Sequence, residues 1–396
     1  MRPGIIDTRL PAEIFHRLEG YSEVAEREMV QPQRVLVVGG GIAGLATARA
    51  LLRHGIESDV VERAAAWSYP GTGMYLPANS VRALGALGLQ APLLDHAYEI
   101  RRQLFLDERG HVLLDVDLRD VWGATGPCAA ISHRALHELL REGIPVRLGT
   151  RTTALNDEGS LVRASFDDGS TGDYDIVVGA DGVHSWVRSA VLGGADATSV
   201  GQASWRFLVE DFPEISHWTV LLDRGKAFLT IPLGGGRIYC YADVNARGTV
   251  DPTGGDAAKL AELYRDFAEP VATIVRERLP AGERPYFSPI EEVIQQPWVR
   301  SRVVLVGDAG HAMSPNMAEG AGMALEDALV LAATIAAGRA LEEFETRRRP
   351  RVAFVQAQTH RRDRTRNLPP FVRKATLRLA GQQIFRANYK ALLTPP

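Results

Sequence analysis

Short, wholly apolar runs ended by glycine clusters recur along the chain, and they predict strands buried on both faces. The first is Val35-Leu36-Val37-Val38, closed by Gly39-Gly40-Gly41. Leu45, Ala48, Leu51 and Leu52 then repeat at helical spacing until Gly55 supplies a stop. A second strand at 58–61 leads into Glu62, which completes a βαβ start. The same figure returns at 175–178, ended by Gly179-Ala180-Asp181-Gly182, and at 303–306, followed by an Ala/Leu-rich helix over 323–337.

Between these pieces the pattern changes to alternation, the signature of half-buried antiparallel strands. One hairpin is predicted from 102–106 and 112–117 around Glu108-Arg109-Gly110, and another joins 162–166 to Tyr174 across Asp167-Asp168-Gly169. Residues 203–245 read as further antiparallel strands, including 228–231 and 237–242 on either side of Gly234-Gly235-Gly236. Helices are expected at 134–141 and over a stretch from 256 to 278, and the basic tail 341–396 reads as helical.

The interleaving implies an α/β protein of two discontinuous lobes. A Rossmann-like nucleotide-binding domain takes 31–77, 130–195 and 297–338, and a β-sheet substrate domain takes 78–129 and 196–296. C-terminal helices follow over 339–396. Residues 1–30 read as an N-terminal extension, with Met29 as the favoured alternative start.

Composition narrows the partners. A formal net charge of −3 gives no reason to expect nucleic acid or an anionic membrane. No apolar run reaches the roughly 18 residues that span a bilayer, and no basic region followed by an apolar core opens the chain. Cys128 and Cys240 lack metal-type spacing and read as buried thiols in a reducing compartment, so the cytoplasm is the expected setting. A monomer or homodimer is the expected assembly, with nothing in the chain to choose between them.

The candidate chemistry lies where the apolar runs end. Gly39-Gly40-Gly41-Ile42-Ala43-Gly44 is a GxGxxG that follows a strand and opens a helix. Glycine at 39 permits the turn, at 41 admits a pyrophosphate, and at 44 lets helix and strand pack closely. The amides of Ile42 and Ala43 stand at the positive end of the helix dipole, where a phosphate is stabilised. Glu62, with Arg63 beside it, is placed to accept ribose hydroxyls. Such a motif predicts a dinucleotide without separating FAD from NAD. Asp181 ends the second run, where a plain Asp-Gly turn competes with a binding role. The third run ends in Gly307-Asp308, and a loop containing Ser314-Pro315-Asn316 leads to Gly320-Ala321-Gly322. Asp308 on such a turn can hold a sugar-alcohol hydroxyl, while Gly320 and Gly322 let the backbone approach a planar ring.

These three motifs, in this order, resemble the p-hydroxybenzoate hydroxylase-like FAD monooxygenases from residue 33 onward. By that resemblance, Gly39, Gly41, Gly44 and Glu62 bind the ADP half of FAD, and Asp308 contacts the ribityl chain. Asp181 belongs to a motif associated with both FAD and NAD(P)H, and Arg134, in Ile131-Ser132-His133-Arg134, matches an arginine that opens a helix beside the flavin. Ser204-Trp205-Arg206 looks like the salicylate- and urate-hydroxylase branch, in which an arginine here approaches the substrate. The chain departs from the commoner pattern at Ala321 and Ala324, where many relatives carry Gln and Asn.

The resemblance implies reduction of FAD by NAD(P)H, formation of a flavin hydroperoxide with O₂, and hydroxylation of a small, aromatic substrate. It leaves open an epoxidase, a dehydrogenase or reductase, or a non-catalytic flavin-binding protein on the same scaffold. A single GxGxxG implies that NAD(P)H binds transiently. Arg206 and Pro315 are the candidate catalytic positions, and no metal site is expected. His311 is read as structural, Tyr239 and Tyr241 as sharing one strand face, and Arg347-Arg348-Arg349 with Arg361-Arg362 as a solvated basic face.

Overall fold

The computed structural model describes residues 33–396 apart from 70, 71, 195, 214, 247, 249 and 280–283. The extension assigned to 1–30, including Met29, lies outside the described residues.

The first apolar run forms Val35–Val38, which is buried on both faces at the centre of a six-stranded sheet. The strand order is Val299–Arg300, Val303–Leu305, Ile176–Gly179, Val35–Val38, Ser58–Glu62 and Val146–Leu148. Only Val299–Arg300 runs antiparallel to its neighbour. The strand that precedes Gly39 therefore lies between two parallel neighbours reached by separate crossovers. In such sheets the crevice at the strands' carboxyl ends is the usual nucleotide site. All three glycine-ended turns open there.

The helix Ile42–Arg53 packs against the long helix Gly320–Ala336, which starts at Gly320 and so includes all of the glycine-rich segment. The expected hairpin is present, with Val162 opposite Tyr174, and Thr152–Asp157 adds a third strand. The stretch expected to be helical from 256 to 278 is interrupted. Asp256 caps Ala257–Tyr264 by accepting from the Ala258 amide at 2.8 Å, and helix resumes only after Pro270. Proline lacks the amide an uninterrupted helix would need.

Seven strands assemble into one sheet that is antiparallel except where Trp218–Asp223 runs parallel to Arg102–Asp107, and its two faces differ as alternation requires. Trp205, Phe207, Leu221, Phe228 and Cys240 face the helices around Leu260, Tyr264 and Ile274 in a separate apolar core. The alternate residues face the crevice. Helices Ala78–Ala86 and Gln90–His96, expected in the substrate domain, pack instead against Gly320–Ala336 and His133–Arg141 on the nucleotide-binding side.

The C-terminal helices Leu341–Thr365 and Pro370–Tyr389 leave Arg347 and Arg361 exposed, as a solvated basic face requires, but not the rest of that face. Arg348 is fully buried, with Nε donating to Asp327 and Nη1 to Glu326, both at 2.8 Å. Arg351 forks onto Glu326 at 2.7 Å through two nitrogens, and Arg362 donates to the Asn316 carbonyl at 2.7 Å. Three consecutive helical residues fan over about 200° of the helix, so one of them, Arg348, points inward, and the acidic residues of Gly320–Ala336 receive it.

Candidate active site

The three glycine-ended turns and the inner face of the seven-stranded sheet enclose one cavity of about 880 Å³. At its nucleotide end stands the first turn. Gly39 has φ +112° and a Cβ there would overlap the Ala180 carbonyl, while a Cβ on Gly44 would overlap the carbonyl oxygen of Gly39. Gly41 differs, because nothing lies within 4 Å of where its Cβ would be. Two glycines are required by close backbone packing and one by open space, the division a phosphate-binding turn needs. Gly41, Ile42 and Ala43 line the cavity.

Glu62 ties this turn to the second strand, accepting from the Gly40 amide through one oxygen and the Ala64 amide through the other, each at 2.9 Å. Arg63 is exposed and does not line the cavity. Behind the turn, His137 Nε2 donates to the Gly40 carbonyl at 2.9 Å and Nδ1 accepts from the Tyr69 hydroxyl at 3.0 Å. That arrangement fits a neutral imidazole, and burial lowers its pKa accordingly.

Asp181 accepts from the Ser185 hydroxyl and, at 3.1 Å, from the Val187 amide. Its carboxylate thus holds the local turn. Arg188 is buried and donates to the Val183 carbonyl at 2.8 Å and the Ala309 carbonyl at 2.9 Å, which binds the second turn to the third. Asp308 lines the cavity and is exposed to it, and desolvation by the surrounding walls raises its pKa. His311 points away from the cavity, with Nε2 2.6 Å from the Asp327 carboxylate beneath the Trp298 indole. Pro315 lines the cavity at the start of a short turn that Asp363 anchors through Ser314 and Asn316.

Gly320 and Ala321 line the cavity at the amino end of Gly320–Ala336, where unpaired amides and the helix dipole favour negative charge. Gly322 does not. A Cβ there would meet the Ser80 hydroxyl at 2.5 Å and the Glu319 carboxyl at 2.7 Å, so this glycine serves packing. Glu319, buried and hydrogen-bonded by Asn79 Nδ2 at 3.0 Å, has a pKa pushed up to about 8 by desolvation. Sequence reasoning missed this pair, since nothing in the chain's pattern brings residues 79 and 319 together.

Arg134 is exposed, pairs with Glu138 at 2.9 Å and does not line the cavity. His133 lines it instead, held by its amide's bond to the Thr72 carbonyl at 2.9 Å. The helix starts at His133, and one residue of helical rotation separates the inward position from the outward one.

At the sheet end, Arg206 lines the cavity with its guanidinium 5.6 Å from the Tyr241 ring centroid. Tyr239 and Tyr241 share the inner face as alternation predicts. The buried Tyr241 hydroxyl, Trp218 indole nitrogen and Gln103 amide oxygen have no hydrogen-bond partner. Unpaired buried polar atoms are costly, and a cavity wall that collects them suits a polar aromatic ligand.

A family model described as an FAD binding domain matches residues 33–359. The chain belongs to this FAD-binding family. The chain is similar to 2-heptyl-3-hydroxy-4(1H)-quinolone synthase of Pseudomonas aeruginosa, 32% identical over 82% of this chain and 87% of that protein. The FAD-dependent urate hydroxylase of Klebsiella pneumoniae is 30% identical over 83% of this chain and 89% of its own. Klebsiella pneumoniae HpxO, solved with FAD and uric acid, superposes with a TM-score of 0.84 at 25% identity, covering 93% of this chain and 100% of that one. The chain is an FAD-dependent oxidoreductase of the aromatic-hydroxylase kind, and the glycine cradle, with Gly41 open and Gly39 and Gly44 closed, fits the cofactor of this family.

Proposed function

We propose that this chain hydroxylates a small aromatic substrate, taking electrons from NAD(P)H and oxygen from O₂, at the sheet end of the cavity. The observation that carries this reading is the continuity of the cavity, which joins the glycine cradle and Asp308 to Arg206, Tyr239 and Tyr241. The amides around Gly41, Ile42 and Ala43 would hold the pyrophosphate of FAD, Glu62 the ribose, Asp308 the ribityl chain, and the amides at Gly320 and Ala321 the ring. FAD, when bound, supplies hydride acceptance and oxygen activation. Arg206 binds and orients an anionic group of the substrate, and the Tyr241 hydroxyl and Trp218 indole supply polar contacts beside it. The apolar walls exclude water from the reacting atoms. The names of the relatives support an aromatic ring, as in urate hydroxylase and the 3-amino-4-hydroxybenzoate 2-monooxygenase of Streptomyces cremeus. Two buried, unpaired thiols suit a reducing setting, and the cytoplasm is the setting we propose.

The deciding experiment is NAD(P)H oxidation by the purified yellow protein against a panel of aromatic acids and phenols, with product masses. Stimulated oxidation and a product heavier by one oxygen are expected. Arg206→Gln should raise KM for an acid about 10- to 100-fold, the worth of a hydrogen bond to a charged group, with FAD content retained. Stimulation by no compound, or stimulation with no oxygen in the product, would overturn the proposal in favour of a reductase, a dehydrogenase or a binding protein.

A further inference from the structure

The register of the seven-stranded sheet places six cavity-lining residues from six adjacent strands in one transverse row. Arg206 is opposite Tyr241, Tyr241 opposite Leu229, Leu229 opposite Val220, Val220 opposite Phe105, and Phe105 opposite Leu114. The row changes character along its length. Its first two members carry a guanidinium and a phenol, and the remaining four carry only hydrocarbon. The apolar half is roofed by the helix Pro370–Tyr389. Phe385 meets Phe105 edge-on at 6.1 Å between centroids, and Gly381 lies so close to Leu114 that a Cβ would approach its Cδ1 to 2.9 Å. Leu377 lines the cavity from the same helix.

From this juxtaposition we infer that the natural substrate is amphipathic, with an anionic or phenolic aromatic head at Arg206 and Tyr241 and an aliphatic tail. The tail lies across Leu229 and Val220 as far as Phe105, where the C-terminal helix packs on the sheet and closes the row. The inference rests on the hydroxylase reading for the head and adds the tail. Two interstrand steps separate Leu229 from Phe105, about 10 Å, which is longer than any single ring. A small hydrophilic acid would leave that hydrocarbon wall unused, whereas an alkyl chain would gain from every carbon it removes from water. The tail would run across the strands, because the register places the hydrocarbon members side by side at one level of the sheet.

The test is a series of salicylates bearing methyl, propyl, pentyl and heptyl groups at the ring position adjacent to the carboxylate. Each is titrated into the full-length, FAD-loaded protein, and the dissociation constant is read from the change in the flavin's visible spectrum. Affinity should tighten by about fourfold for each added methylene until the row is filled. Val220→Phe, checked for folding by its thermal melt, should shorten the range over which it tightens. Constant or weakening affinity from methyl to heptyl in the unmodified protein would overturn the tail. NAD(P)H oxidation and product masses from the same samples separate this from the reading beneath it. Chain-length-dependent binding with no oxygenated product would uphold the tail and overturn the hydroxylase. Oxygenated product from the methyl compound with no gain for heptyl would do the reverse.

Discussion

The buried guanidinium of Arg188 donates to the carbonyl of Ala309 at 2.9 Å, so the turn at Asp181 and the turn at Asp308 are held as one unit. The two residues are far apart in sequence and adjacent in space because their strands, Ile176–Gly179 and Val303–Leu305, are parallel neighbours. Burial lowers the Arg188 pKa, which marks the cost of keeping a cation there. Arg188→Met should leave the strand pairing intact while freeing the 308–311 segment. A loss of FAD affinity of at least about tenfold is expected by fluorescence titration, the cost of one lost charged hydrogen bond. Unaltered affinity would show that the third turn holds its shape unaided.

The glycines of the first turn should separate experimentally. Gly41→Val introduces a side chain into open space, so the protein should fold with a normal melting temperature and purify colourless. Gly44→Val forces a side chain into the Gly39 carbonyl. Overpacking of this kind costs about 1–3 kcal/mol or more, and a lowered melting temperature should accompany the loss of flavin. Thermal melts of apoprotein and flavin absorbance on the same preparations check both halves.

Arg348 closes the largest buried ion cluster among the described residues, between Glu326 and Asp327. Its removal by Arg348→Met leaves two carboxylates in the interior against Arg351 and His311. Destabilisation of about 3–5 kcal/mol is expected in chemical denaturation, as for other broken buried pairs. An effect below about 1 kcal/mol would mean that Arg351 takes over both partners.

Glu319 sets a pH dependence with a definite sign. Its folded-state pKa of about 8 lies above the ordinary 4.5 of an unfolded glutamate, so the folded state holds the extra proton between those values. Stability from this group is therefore present below about pH 4.5 and is lost as pH rises through about 8. Glu319→Gln keeps a neutral amide beside Asn79 and should remove that part of the decline. Denaturant midpoints of both proteins between pH 5 and pH 9 test this, and parallel profiles would refute it.

Much of the fold is legible in short-range pattern. The run at 35–38, its glycine stop and the helical spacing after it each follow from backbone sterics and burial within a few residues. The alternation over 237–242 likewise places Tyr239 and Tyr241 on one face, and the structure has them there. What escaped depends on long-range packing or on a rotation of about 100°. His133 and Arg134 are neighbours at a helix start, and only the helix's seating on Thr72 decides which one faces the cavity. Arg348 reads as one of three surface arginines until Gly320–Ala336 is packed against it. The row from Arg206 to Leu114 depends on pairings between strands far apart in the chain, and no local pattern contains them.

The roof formed by Pro370–Tyr389 has a consequence for how such a pocket diverges. The cofactor cradle is built from turns locked to one another by main-chain contacts, where almost any change is felt by the whole nucleotide site. The hydrocarbon half of the pocket is walled by side chains from a sheet and a separate helix. Replacing Leu377 or Gly381 alters the room available to a ligand and leaves the redox machinery untouched. The wall that would set selectivity and the turns that would hold the cofactor are thereby built from different stretches of polypeptide.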